Sequence, residues 1–443
     1  MRFFVLLAVC LLATVGTDAA CAAPAPPLPV EPYELTLQEI RVAAGGEIEK
    51  SVLRLIPLEV GANIDPAVLV HTREALEAST ILKNVDIYTE RGDRPGAVIL
   101  HVDAEYEQRF HLETGLGREP MQGWYLNLIG ARYTNPLLRG GHVRIGLREF
   151  ERNHGIFLEA EYPRLLGNNL DLLINLENGW ESWHVTEGDR LMFQTIMRTK
   201  TMVGLRKWSR DDLTVSLWLG MSHHEPEGDL EGDEGNVIET AGRLVPEPDD
   251  KKHHLDLRLD LTWDRLDPSR PWQQGQWAGL RLKGSEIIDG KAFWGAELEG
   301  QIAIPVARIH ALALRARGEY TGGGTPYHLR PVVGGIGSLR GFEVASLSGP
   351  LGARAFWQFN CEWRQALVGD NPRQPKVTGT FFVDVGDLWQ DDGSRFGVAA
   401  SAGYGLLLRI PWIQILNAEV SYPLTRNVTD DAVVLYLSLG RSF

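Results

Sequence analysis

Cysteine is scarce in this chain of 443 residues: only Cys10, Cys21 and Cys361 occur. Cys10 and Cys21 belong to the extreme N-terminal region. If that region is removed, Cys361 remains alone, no intrachain disulfide is possible, and the fold must hold without covalent staples. Positive charge is also short. Lys and Arg number 44 against 58 Asp and Glu, for a net charge of -14, which argues against the basic face a nucleic-acid partner requires. Long apolar runs are missing, and beyond the N-terminus nothing approaches the ~20 apolar residues of a membrane-spanning helix. Two catalytic signatures are absent as well. The stretch GGIGSLRGFE, from Gly334 to Glu343, is glycine-rich, but no Gly-Lys-Ser/Thr follows, so it is not a phosphate-binding loop. Gly337 directly precedes Ser338, so it lacks the spacing of a nucleophile elbow.

What is present begins with a short positive start at Met1-Arg2, an apolar run from Phe3 to Val15, and small residues at 19–23. This predicts a secretory signal peptide over residues 1–22, with Ala20-Cys21-Ala22 as the small-x-small site. The competing reading lipidates Cys21, but Asp18 stands where an aliphatic residue is expected. Residues 23–32, rich in Pro and Ala, read as an extended linker.

Residues 33–105 have the periods of a small α+β unit. Leu35–Val42 is a strand candidate. Glu47–Ile56 places Ile48, Val52, Leu55 and Ile56 on one helical face. Asn63-Ile64-Asp65-Pro66 is a helix entry, with Asp65 as N-cap and Pro66 in the first turn, and the helix is expected to reach Ser79. Val85–Thr89 and Ala97–Val102 complete a β-α-α-β-β order.

From residue 106 onward the helical period vanishes and alternation takes over. Leu255, Leu257, Leu259, Leu261 and Trp263 alternate with His254, Asp256, Arg258, Asp260 and Thr262. Ala355, Trp357, Phe359, Cys361 and Trp363 alternate with Phe356, Gln358, Asn360, Glu362 and Arg364. Two architectures satisfy this rhythm: a soluble two-sheet sandwich with apolar rows inside, or a membrane barrel with apolar rows on lipid and polar rows on a wet lumen. Several candidate strands exceed ten residues, whereas soluble strands average about 5–6. Trp180, Trp183, Trp208, Trp263, Trp389 and Tyr422 fall near expected strand ends, like an aromatic girdle. The rhythm therefore predicts an all-β transmembrane barrel of about 16 antiparallel strands over 106–443, closed by Phe443 as C-terminal barrel signal.

The longest connection on its side, Thr321–Pro350, contains Arg340. If it folds into the lumen, the guanidinium needs carboxylates. By parity Asp384, in Phe382-Val383-Asp384-Val385-Gly386, and Glu362 on the neighbouring strand face inward, and a planar fork can bridge both. Gly334, Gly335, Gly337 and Gly341 permit positive φ and close approach to the wall.

Residues 33–105 resemble a POTRA domain, through their element order, Gly61-Ala62-Asn63-Ile64-Asp65 and Leu82-Lys83-Asn84-Val85. Ser338-Leu339-Arg340-Gly341-Phe342 resembles the Arg-Gly-Phe lumen-loop motif of the BamA-type outer-membrane assembly and translocation superfamily, also called the bacterial surface antigen family. Phe382-x-Asp384-x-Gly386 is similar to its partner strand, and Asp264-Arg265-Leu266-Asp267-Pro268 to a recurrent strand-end segment. The resemblance implies that Arg340 docks on Asp384 with Glu362 as second partner, and that Phe342 accompanies it. It also implies a lateral seam near Arg109–Gly117 and Leu435–Phe443. The implied function is insertion or translocation of β-rich client polypeptides across the bacterial outer membrane. The POTRA unit would lie in the periplasm, where it offers a sheet edge to clients or to a periplasmic or inner-membrane partner. No cofactor and no nucleic acid are implied. Two departures stand out: a single POTRA-like unit, and Arg441 where a second apolar residue is usual. A passive pore or display anchor is the second reading, and a barrel lipase or protease the third. His223-His224-Glu225, at the head of an acidic stretch to Asp250, reads as a solvated loop rather than a metal site. His253-His254 lie at a strand start where only one can face the lumen. Glu159 and Glu161 read as lumen acids rather than a catalytic pair.

Overall fold

The computed structural model describes residues 35–439, less 44–48, 50–51, 54, 57, 78–81, 107–109, 120–122, 135–140, 151–153, 164–169, 188–189, 211, 233–251, 266–274, 289–290, 336, 344, 349–351, 370–374, 391, 411–413 and 426–432. The predicted signal segment, the Pro/Ala linker, Arg109, Arg441 and Phe443 lie outside these residues.

The N-terminal unit is a four-stranded mixed sheet. Its strands are β1 (Leu35–Ala43), β2 (Asn63–Ile64), β3 (Leu82–Arg91) and β4 (Ala97–Tyr106), in the order β2-β1-β4-β3. β1 runs parallel to β4, and β3 antiparallel to it. The helix α1 (Pro66–Glu77) starts where its cap dictates: Asp65 Oδ1 accepts the Val68 N–H at 2.8 Å, satisfying one of the first-turn donors. Leu76 and Thr72 are fully buried on its inner face, and Thr72 Oγ1 donates back to Val68 O. Among the described positions of the preceding segment, Glu49, Val52, Leu53 and Leu55 are helical. Val52, Ile56, Leu76, Leu37, Leu100 and Val102 form one core. Each such side chain contributes about 1.5–3 kcal/mol on burial.

The remaining strands form one antiparallel sheet of sixteen in strict sequence order. They are β5 (Phe110–Glu119), β6 (Gly123–Thr134), β7 (His142–Phe150), β8 (His154–Tyr162), β9 (Leu170–Glu187), β10 (Arg190–Arg210), β11 (Leu213–Gly232), β12 (Lys252–Asp264), β13 (Gly275–Ile287), β14 (Ala292–Ala307), β15 (His310–Gly323), β16 (Ala355–Val368), β17 (Val377–Trp389), β18 (Ala399–Ile410), β19 (Gln414–Pro423) and β20 (Val434–Leu439). The sheet curls so that β20 comes beside β5. Among the described residues, every other neighbouring pair in this barrel has a hydrogen-bonded ladder, and β5 with β20 has none.

Alternation decides which way side chains point. Leu255 and Leu257 are about half exposed on the outer wall, while His254 is fully buried inside. Phe359 and Trp363 face out, with Cys361 between them in the same row; Gln358, Asn360 and Glu362 are buried inside. These outward apolar rows exclude the sandwich, which would turn them inward. No helix among the described residues is long and apolar enough to cross a membrane, and the barrel crosses with strands. The inner wall is laced by cross-strand ion pairs, such as Arg281–Glu297 at 3.0 Å and Arg315–Glu299 at 2.8 Å, as a hydrated lumen permits.

Three expectations need correction. The acidic stretch from Glu225 is not all loop. β11 continues to Gly232, paired with β10 as far as Met192↔Gly232, because the long β10 offers backbone groups that the ladder satisfies. His223 and His224 therefore sit on a strand. Trp183 does not belong to an outer girdle: it lines a lumen cavity beside Arg198.

Candidate functional site

Residues 324–354 connect β15 to β16 and turn into the lumen rather than away from it. Apolar residues cause this. Val333, Leu339, Phe342, Leu347 and Ala353 from the connection pack with Phe356, Leu388 and Ala399 of the wall into a second core. Polar contacts fix the register. Ser338 Oγ donates to Gln358 Oε1 at 3.0 Å, Asn360 Nδ2 donates to Ser338 O at 3.2 Å, and Arg315 Nη1 donates to Gly337 O at 3.3 Å.

Two glycines make the approach possible. Gly341 has φ 95°, and a Cβ there would lie 2.6 Å from Ser401 Cβ on the wall. At Gly386 a Cβ would come within 2.9 Å of Leu339 Cδ1 and 2.7 Å of Trp357 O. Gly334, Gly335 and Gly337 also have positive φ, at 117°, 92° and 82°.

This packing delivers Arg340, 2% exposed, to a cluster of acids. Its Nε donates to Asp384 Oδ2 and its Nη2 to Asp384 Oδ1, each at 2.7 Å, forming a bidentate fork. Nη1 donates to Glu362 Oε1 at 2.7 Å and to Glu419 Oε1 at 3.3 Å. The backbone N–H of Arg340 adds a bond to Asp384 Oδ2 at 3.1 Å. The guanidinium carbon lies 3.6 Å from the centroid of the Phe382 ring, stacking the cation on an aromatic face. Arg364 Nη2 sits 2.7 Å from the other oxygen of Glu362. Two guanidiniums thus meet three carboxylates, and among the described residues Glu419 Oε2 has no hydrogen-bond partner. Phe342 is fully buried, and its carbonyl accepts the hydroxyl of Tyr436 on β20.

The cluster ties the connection to β16 through Glu362, β17 through Asp384, β19 through Glu419 and β20 through Tyr436. A guanidinium is not deprotonated in proteins, so the chemistry on offer here is fastening. Glu419 and Tyr436 were not singled out from the sequence. A signal existed: in Leu416–Ser421 the residues Asn417, Glu419 and Ser421 alternate with apolar Leu416, Ala418 and Val420, the same rhythm that marks Asp384.

The other sequence candidates fall elsewhere. Glu159 pairs with Arg144 at 3.3 Å, and Glu161 pairs with Arg206. His224 and His254 are buried while His253 faces out. Among the described residues, no group of three or more His, Cys, Asp or Glu is arranged to hold a metal ion. Arg265, in the strand-end segment, donates through Nε to Asp212 Oδ2 at 2.5 Å, and Trp263 Nε1 donates to the same oxygen at 2.8 Å. Burial alone would raise the Asp212 carboxyl; the bonds from Trp263 and Arg265 outweigh it and hold the group below its ordinary value.

Comparison with known proteins agrees with this geometry. Residues 121–443 match the Omp85 superfamily domain. The structure is similar to BamA from Haemophilus ducreyi lacking POTRA domains 1–3, with a TM-score of 0.67 at 16% identity, covering 91% of this chain and 84% of that one. It is also similar to CdiB from Acinetobacter baumannii (TM-score 0.62, 14% identity, 92% and 74% covered) and to CdiB from Escherichia coli (0.63, 14%, 92% and 76%). No curated protein sequence matches. The sixteen-stranded sheet, the inward connection and the match over 121–443 together make this chain an outer-membrane β-barrel of the Omp85 superfamily, a family serving protein insertion or translocation.

Proposed function

We propose that this protein assists the insertion or translocation of β-rich client polypeptides at the outer membrane. The N-terminal unit acts as a single periplasmic POTRA domain. One observation carries the reading: β5 and β20 lie side by side, yet among the described residues share no ladder. Unpaired backbone groups on two adjacent edges form a template that any extended segment satisfies. Separating two strands without a ladder costs far less than opening one of the paired seams. The small unit adds a second edge at β3, which among the described residues pairs only with β4. The cluster around Arg340 braces the wall next to the seam, through Glu419 on β19 and Tyr436 on β20.

The test is a reversible lock. In a Cys361→Ser background, cysteine pairs are introduced along Phe110–Glu119 and Val434–Leu439, and the protein is reconstituted in liposomes with an unfolded β-barrel client. The oxidised form is expected to lose client insertion and the reduced form to regain it. Equal insertion in both states refutes the seam. No insertion in either state favours the pore or display-anchor reading.

A further inference from the structure

The lumen holds a second feature that the Arg340 cluster does not use. Two cavities, of about 540 Å³ and 230 Å³, lie between the inward connection and the wall strands β9–β16. They share Arg198, His224, Glu319 and Leu329 in their walls, so they adjoin. Their lining is cationic in a chain whose net charge is -14. Arg198, Arg317 and Arg330 border the larger, and Arg198, Lys200, Arg258 and Lys283 the smaller. The lining carboxylates are Glu319, common to both, and Asp256.

Pairing distinguishes these cations. Arg317 is engaged by Glu297 at 3.0 Å and Glu319 at 3.3 Å, and Arg258 by Asp260 at 3.0 Å. Lys200 and Lys283 are different: among the described residues neither has a carboxylate within ion-pair distance. Asp256, which lines the same cavity as Glu319 does, is held by two serines. Asp256 Oδ2 accepts Ser222 Oγ at 2.6 Å and its Oδ1 accepts Ser285 Oγ at 2.7 Å. Arg258 stands between the two lysines, directly opposite Lys283 in register, and is held flat on Trp218 with 4.5 Å between guanidinium carbon and ring centroid. The chamber thus holds two ammonium groups with no ion-pair partner among the described residues beside a fixed guanidinium, and its lining sets the four cations Arg198, Lys200, Arg258 and Lys283 against the two carboxylates Glu319 and Asp256.

We infer that the chamber bounded by Lys200, Arg258 and Lys283 is a binding site for a phosphate-class oxyanion within the barrel lumen. A tetrahedral dianion satisfies this set because it offers several acceptor oxygens to donors converging from β10, β12 and β13. The site goes beyond client handling. It makes the lumen a place where an anion bridges wall strands on the side of the barrel away from the seam.

The test is calorimetric titration of the full chain in zwitterionic detergent, at fixed ionic strength, with inorganic phosphate. A second arm titrates a short-chain phosphatidylglycerol, and chloride serves as the weakly charged control. Saturable binding of phosphate, at least tenfold weaker in the Lys200→Gln/Lys283→Gln variant and retained in Lys200→Arg/Lys283→Arg, supports the site. Competition by the lipid assigns the phosphate to a headgroup, and its absence to a soluble ion. The site is overturned if wild type shows no saturable phosphate binding, or if the glutamine variant binds as wild type does. If the glutamine variant does not fold, the arginine variant decides: loss of binding there, with heat-modifiable mobility intact, also overturns it.

Discussion

Replacing Arg340 with alanine isolates what the lumen cluster contributes. The change removes four side-chain hydrogen bonds, to Asp384 twice and to Glu362 and Glu419, and leaves three carboxylates facing one another. Arg364 still pairs with Glu362, but Asp384, fully buried, retains no guanidinium. Removing one partner of a buried ion pair costs about 3–5 kcal/mol. That shifts the balance between docked and detached connection by roughly 10²- to 4 × 10³-fold. The assay is heat-modifiable electrophoresis together with thermal unfolding in detergent. Arg340→Ala is expected to lose its compact migration at distinctly lower temperature. Arg340→Lys keeps charge but cannot fork across Asp384 or lie flat on Phe382, and should fall between. Glu419→Gln, which relieves the surplus carboxylate, should change stability by no more than about 1 kcal/mol. Exchanging the charges, with Arg340→Asp and Asp384→Arg together, should restore stability only in part, since Glu362 and Glu419 then face an aspartate. If Arg340→Ala matches wild type in both heat stability and client insertion, the fastening role is wrong.

Three further outcomes are expected. Tyr436→Phe removes the donor to the buried Phe342 carbonyl and should cost about 1–3 kcal/mol in urea unfolding, without altering the fold by circular dichroism. Gly341→Ala meets both a positive φ and the Ser401 wall; it should lower heat-modifiable stability while Gly393→Ala, with φ 80° but nothing within 4 Å, lowers it less. Asp212 has a depressed folded pKa, so its contribution is present above the ordinary carboxylate value near ~3.9 and disappears as pH falls through the folded value. The indole of Trp263 should report that step by fluorescence, and the step should be missing in Asp212→Asn.

The barrel was legible because lipid and lumen impose opposite demands on successive residues. Leu255–Trp263 and Ala355–Trp363 carry that rhythm, and the structure has sixteen strands in one antiparallel sheet where about 16 were expected. The same rhythm puts Asp384 and Glu362 on the lumen side, where both are buried. What stayed hidden depends on partners rather than local pattern. Glu225–Gly232 has the composition of a loop and becomes strand only because β10 extends beside it. Trp183 has the appearance of a membrane-interface residue, yet its wall position turns it to the lumen. Glu419 and Tyr436 matter through a connection that reaches them from about eighty and ninety-four positions away. Lys200 and Lys283 stand out only in three dimensions, where among the described residues neither has a carboxylate within ion-pair distance.

The lengths of β9, β10 and β11 have a consequence for the outline of the molecule. Twenty-one residues of β10 extend about 70 Å at ~3.3 Å per residue, and a tilt near 40° leaves a height of about 53 Å against an apolar band of ~25 Å. The barrel therefore has an uneven rim. On one flank a three-stranded parapet stands clear of the bilayer, at the end from which residues 324–354 descend. Anything approaching that end meets this ribbon first, well before the mouth of the barrel.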